Sequence, residues 1–125
     1  MAENKFVLVV EDDPFYSNIY KAKLKREGID AEVVINGDAA MTIAKQRKPA
    51  LILMDLIMPG KDGFATLKEL KADQTLADIK VIVLSNLSQE EDIRRVKELG
   101  ASEYLVKANI SISEVIGKIK SNLAV

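Results

Sequence analysis

Four short apolar runs punctuate the chain, at 7–10, 51–54, 81–84 and 104–106. Three of them are rich in Val, Ile and Leu with no polar alternation. Runs of this length and kind predict strands buried on both faces, as in a parallel sheet. A fifth candidate, 31–35, is interrupted by Glu32 and fits an edge strand better. Helical periods fill the intervals. Asp13 followed by Pro14 is an N-cap with a first-turn proline. Tyr16, Ile19, Tyr20 and Leu24 then form an apolar stripe, and Gly28 supplies the stop. Ala40, Ile43 and Ala44 mark a second helix ending before Pro49, and Asp62 can cap a third with Phe64 and Leu67 turned inward. Ser88-Gln89-Glu90-Glu91 reads as a capping box, followed by Ile93 and Val96 and closed by Gly100. Ser111-Ile112-Ser113-Glu114 reads as another, followed by Val115, Ile116, Ile119 and Leu123. Five strands alternating with five helices predict right-handed βαβ crossovers and a doubly wound α/β fold.

Composition bounds the rest. A chain of 125 residues, 48% apolar and 30% charged, is expected to form one globular domain, 1–125, with a core that needs no staples. The absence of cysteine excludes disulfides and thiolate metal sites. The absence of histidine excludes a histidine base, a histidine-ligated zinc and a Ser/His/Asp triad, and it excludes a phosphohistidine in this chain. A net charge of −1 argues against direct nucleic-acid binding. Lys21, Lys23, Lys25 and Arg26 form a local basic cluster without interleaved aromatics, which reads as a solvated helix face. No apolar stretch approaches the roughly 20 residues of a membrane helix. The run at 5–10 is too short for a signal peptide. The expectation is a cytoplasmic protein without a membrane partner.

Ligands of open parallel sheets bind outside the carboxyl ends of the strands. Glu11, Asp12 and Asp13 follow the first predicted strand, Asp55 the third, Ser85 the fourth and Lys107 the fifth. Adjacent strands lie about 4.8 Å apart, so their terminal carboxylates can share one ion. Taken singly each residue has a plain reading. The first acids cap a helix, Ser85 is a loop hydroxyl, Lys107 is a surface lysine, and Pro59-Gly60 and Asp62-Gly63 are turn signals. Asp55 follows Leu-Ile-Leu-Met, where an ionised acid costs desolvation unless it caps a turn, pairs with Lys107 or meets a cation. Clustered carboxylates repel unless a cation sits among them. A few carboxylates with open positions suit Mg²⁺. Asp55 could then take a phosphoryl group, with the ion and Lys107 neutralising its oxygens and Ser85 donating to one of them.

Together these segments resemble the receiver domains of two-component response regulators, the chemotaxis-regulator type included. The matching stretches are VLVVEDD ending at Asp13, LILMDLIMPG ending at Gly60, Asp62-Gly63, VIVLS ending at Ser85 and GASEYLVK ending at Lys107. The resemblance covers essentially the whole chain. It implies a flavodoxin-like (βα)5 fold with strand order 2-1-3-4-5. It implies that Asp55 is the phosphoacceptor, that Asp12 and Asp55 bind Mg²⁺ with the backbone carbonyl of Ile57, and that Glu11 supports through water. Ser85 and Lys107 would bind phosphate, and Tyr104 would change rotamer on activation. Ile57 and Leu87 match positions that tune phosphoryl lifetime. Both are apolar and cannot orient water, so slow self-dephosphorylation is expected. The donor would be a sensor histidine kinase or phosphotransfer protein. The readout face for an output protein would comprise the fourth helix, fifth strand and fifth helix, with Arg94, Arg95 and Lys97 available. The chain would be a monomer or a weak homodimer through that face. Its chemistry would be confined to its own acyl phosphate, so it would not be an enzyme.

Two positions depart from the family. Ala108 follows Lys107 where proline is usual. A cis bond before a non-proline residue costs about 3 kcal/mol, so a trans bond and a reshaped loop are expected. Asn86 replaces a small residue, and its amide either crowds the site or adds a donor. Three rivals fare worse. A haloacid-dehalogenase-type phosphatase wants a second aspartate where Ile57 stands. A flavodoxin-like binding module wants a phosphate loop where Glu11, Asp12 and Asp13 would repel phosphate. A receiver reduced to a scaffold would lack part of the acid set.

Overall fold

The computed structural model describes residues 6–58 and 60–123. Pro59 of the predicted Pro59-Gly60 turn, Lys5 of the 5–10 segment weighed as a signal peptide, and the ends of the 1–125 domain lie outside those residues. Strands β1 (Phe6–Val10), β2 (Asp30–Val34), β3 (Leu51–Met54), β4 (Lys80–Ser85) and β5 (Glu103–Val106) form one parallel sheet in the order β2-β1-β3-β4-β5. Helices α1 (Pro14–Arg26), α2 (Gly37–Gln46), α3 (Gly63–Ala72), α4 (Glu90–Glu98) and α5 (Ile112–Leu123) connect and cover it. This is the flavodoxin-like (βα)5 arrangement.

The apolar runs explain the layers. β1 and β3 are buried at every residue, and β4 at all but Lys80, because helices pack on both faces. Side chains alternate between two cores. Phe6, Leu8, Val10, Ile52 and Met54 join Ala40, Met41, Leu67, Leu70 and Val96 of α2, α3 and α4. Val7, Val9, Leu51 and Leu53 join Tyr20, Leu24, Val115, Ile116 and Ile119 of α1 and α5. β2 is the half-exposed edge that its Glu32 suggested.

The helix ends follow local chemistry. Asp13 Oδ1 accepts from the Phe15 amide at 2.9 Å, with Pro14 at the first helical position. Asp62 Oδ1 accepts from the Ala65 amide at 2.9 Å. Asn36 caps α2 by accepting from the Ala39 amide at 2.8 Å. The Ser111/Glu114 box forms reciprocally, at 3.0 and 3.1 Å. The Ser88/Glu91 box does not form. α4 begins at Glu90, its N-cap is Gln89, and no side chain caps it. Leu87 is tied to Ser85 and Tyr104, and the first helical turn starts one residue later than the box requires. Glu90, Glu91 and Asp92 instead complement the helix dipole in that turn. No cis peptide occurs among the described residues, and the trans Lys107–Ala108 bond opens a 3-10 turn over Lys107–Asn109. No helix of the described residues is long and apolar enough to cross a membrane.

Candidate functional site

The strand order puts β1 beside β3, in a register that pairs Val10 with Met54. The residues that follow are therefore neighbours. The Asp55 amide donates to the Val10 carbonyl at 3.1 Å, and the Glu11 amide donates to Val34 at 3.0 Å. Carboxylate oxygens of Glu11, Asp12 and Asp55 lie within 4.8 Å of one another. Glu11 and Asp55 are buried, whereas Asp12 is exposed at the mouth. β5 lies two strands from β3, yet the Lys107 stem spans that gap. Its Nζ donates to Glu11 Oε1 at 2.6 Å and to Asp55 Oδ2 at 2.9 Å, with the lysine side chain only 6% exposed.

The electrostatics are those of a buried cluster with one internal cation. Burial is the largest influence on Glu11 and raises its pKa, against the opposing bonds from Lys107 and the Asp13 amide. Burial acts to lower the Lys107 pKa, but the bonds to Glu11 and Asp55 outweigh it and the net shift is upward. One ammonium against three carboxylates leaves a surplus of negative charge, which favours a further cation at the exposed mouth. The donor set fits a hard divalent ion. Three carboxylates whose oxygens lie within 4.8 Å of one another could hold such an ion directly or through its waters.

The remaining predicted residues gather around this pocket. Ser85 ends β4, fully buried, with its Oγ accepting from the Leu87 amide at 3.4 Å. Tyr104 is half-buried and its hydroxyl donates to the Leu87 carbonyl. Burial raises its pKa. The Ile57 amide donates to Asp55 Oδ1 at 3.2 Å, so Ile57 is tied to the site by its backbone while its side chain is open to solvent. Leu87 is half-buried against the α2/α3/α4 core, and Asn86 is exposed. Arg94 and Lys97 line the outer groove of α4, but Arg95 is turned onto the Phe64 ring at 4.2 Å.

Two contributors were not legible as site residues. Tyr16, read as part of an apolar stripe, lies with its ring under the Lys107 ammonium, 4.4 Å from Nζ to centroid. Gly63, read as a turn signal, lets α3 pass against the backbone of the loop that carries Asp55. A Cβ there would fall 2.6 Å from the Asp55 carbonyl oxygen and 2.7 Å from Leu56 Cα. The only sequence hint for Tyr16 is its place one turn after the capping Asp13.

A sheet with this order, carrying acids after β1 and β3, a hydroxyl at the end of β4 and a lysine after β5, defines a class of aspartate-based phosphoryl switches. The family model described as the response regulator receiver domain matches residues 7–120, and the chain belongs to that family. It is 32% identical over 117 residues to RpaA of Synechocystis sp., described as a DNA-binding dual master transcriptional regulator, across 94% of this chain and 48% of that protein. It is 36% identical over 103 residues to PilH of Pseudomonas aeruginosa, across 81% of this chain and 84% of that one. It superimposes on the Mn²⁺-bound form of the response regulator Rcp1 with a TM-score of 0.81 and 34% identity, across 94% and 92% of the two chains. The chain spans about half the length of the first curated relatives it matches.

Proposed function

We propose that this receiver domain takes a phosphoryl group on Asp55, in a Mg²⁺-dependent reaction with a phosphohistidine donor, and changes its partner-binding face in response. The observation that carries this reading is the convergence of Glu11, Asp12, Asp55 and Lys107 in one pocket. Asp12 and Asp55 would hold Mg²⁺ with the Ile57 carbonyl, and Glu11 would support through water. The ion would supply charge neutralisation for the phosphoryl oxygens. An Asp55 oxygen forms the O–P bond as the N–P bond of the donor breaks, and the departing electron pair returns to the donor's imidazole. Lys107 moves its contact from the carboxylate to a phosphoryl oxygen. Ser85, buried and one strand away, donates to another.

Residues 1–125 contain no histidine, so the donor lies outside them: a sensor histidine kinase, a phosphotransfer protein or a small acyl phosphate. Switching is a population shift, in which phosphate draws Ser85 and the loop after β4 inward. The hydroxyl of Tyr104 holds that loop at Leu87, so its movement frees the ring to turn. The altered surface is α4, β5 and α5, which would meet an output protein or a second copy of the chain. Turnover is confined to the chain's own acyl phosphate, so the domain is a switch and not an enzyme, and it works in the cytoplasm.

Incubation with Mg²⁺ and acetyl phosphate, followed by intact mass, tests this. One added phosphoryl group that disappears in Asp55→Asn and without Mg²⁺ is expected. No adduct on the parent protein, or an undiminished adduct on the Asp55→Asn variant, overturns it.

A further inference from the structure

We propose that Tyr16 is a positioning residue for this chemistry. Its ring face carries the Lys107 ammonium and keeps it in the pocket while the ammonium moves from the Asp55 carboxylate to a phosphoryl oxygen. The proposal rests on Asp55 being the phosphoacceptor.

Lys107 comes from an edge strand and reaches across β4 to β3 on a flexible four-carbon stem. Such a reach does not fix its own aim. Among the described residues, three groups meet the ammonium: Glu11 at 2.6 Å, Asp55 at 2.9 Å and the Tyr16 ring at 4.4 Å to centroid. An ammonium has three donors and no acceptor, so two carboxylates and one ring face complete its surroundings. The ring is itself held. It stacks on Tyr20, four residues on along α1, at 6.0 Å and 24°, and Tyr20 is buried in the α1/α5 core. Phe15 meets it edge-on at 5.2 Å and 84°. The start of α1 is fixed by Asp13, whose own amide donates to Glu11 Oε2 at 3.1 Å. One short segment therefore places both the carboxylate and the ring that flank Lys107.

The ring suits a moving partner better than a third hydrogen bond would. Attraction to a ring face extends to about 6 Å from the centroid, so an ammonium at 4.4 Å can shift over the face without losing it. When Asp55 becomes an ester, negative charge passes to the phosphoryl oxygens, and Lys107 follows without leaving the ring.

Four chains test this: parent, Tyr16→Leu, Lys107→Met and the double variant. Each is titrated with beryllofluoride and Mg²⁺ and timed with acetyl phosphate. Tyr16→Leu is expected to weaken beryllofluoride binding by about five- to tenfold, and Tyr16→Phe by less than about twofold. In the Lys107→Met background, Tyr16→Leu is expected to change neither readout. The Lys107 ε-protons should show an upfield ring-current shift in the parent and Tyr16→Phe proteins that is lost in Tyr16→Leu, with no phosphoryl group needed. An equal loss in both lysine backgrounds makes the ring a packing element and overturns the proposal, as does an unchanged Tyr16→Leu. If Tyr16→Leu does not fold, Tyr16→Met replaces it in the same cycle. Failure of the parent to take a phosphoryl group refutes the reading of Asp55 instead, and the ring-current shift then still reports on the contact.

Discussion

Substituting Gly63 by alanine sets two effects of opposite sign against each other. Alanine favours a helix over glycine by up to about 1 kcal/mol, and less at the first helical position. The new Cβ, however, would stand 2.6 Å from the Asp55 carbonyl oxygen, 2.7 Å from Leu56 Cα and 3.0 Å from Leu56 Cδ2. The nearest of these falls short of ordinary contact by about 0.8 Å, and two of the three atoms are backbone that cannot swing aside. Overpacking of this kind costs about 1–3 kcal/mol, so the clash wins and a net loss of about 1–2 kcal/mol remains. An unfolding entropy of about 2.1 cal/mol/K per residue gives about 0.26 kcal/mol/K for a chain of this length. The melting temperature should therefore fall by about 4–8 °C, read by circular dichroism. The displaced atoms carry the acceptor, so phosphorylation by acetyl phosphate should slow by about tenfold or more. Gly117→Ala is the control. It lies in mid-α5 with nothing within 4 Å of the new Cβ. There propensity acts alone, a gain of about 0.5–1 kcal/mol or about 2–4 °C. A Gly63→Ala protein that melts at or above the parent, or shifts of the same sign at both glycines, would refute the reasoning.

Other outcomes follow from the same geometry. Ile57 is exposed beside Asp55, so Ile57→Asn adds a hydrogen-bonding amide that can orient an attacking water; phosphoryl loss should quicken on the order of two- to tenfold. An unchanged lifetime by intact mass rejects this. Mg²⁺ at about ten times its dissociation constant should stabilise the fold by about 1.4 kcal/mol, or about 5 °C. Removing the ion with a chelator should reverse the shift, and Asp12→Asn should reduce it by half or more; an equal shift in that variant counts against the site. The bond from the Ser111 amide, with that from its hydroxyl group, lowers the pKa of Glu114. A lowered folded-state value contributes stability that is present above the unfolded value of 4.5 and lost as pH falls through the folded one. Glu114→Gln keeps the acceptor but not the charge, so it should melt below the parent at pH 6, by a margin that shrinks as pH falls below 4.5. A pH-independent difference would mean that the charge is not what matters.

The sequence by itself determined the elements and most of their ends. Asp13-Pro14, Asp62 and the Ser111/Glu114 box act within one turn of their own backbone, and the unbroken apolar runs require two covered faces. These are local matters of spacing and desolvation, so they are written in consecutive residues. At Ser88 local spacing does not decide the helix start: contacts of Ser85 and Tyr104 with Leu87 accompany an N-cap one residue later, at Gln89. The acids, hydroxyl and lysine at the strand ends were legible as candidates, but their meeting was not. Only the strand order sets β1 against β3 and brings Lys107 across β4. Only packing buries Glu11 while leaving Asp12 open, lays the Tyr16 ring under the ammonium and presses Gly63 against the acceptor loop. Those facts depend on distances between segments far apart in the chain, which no local period encodes.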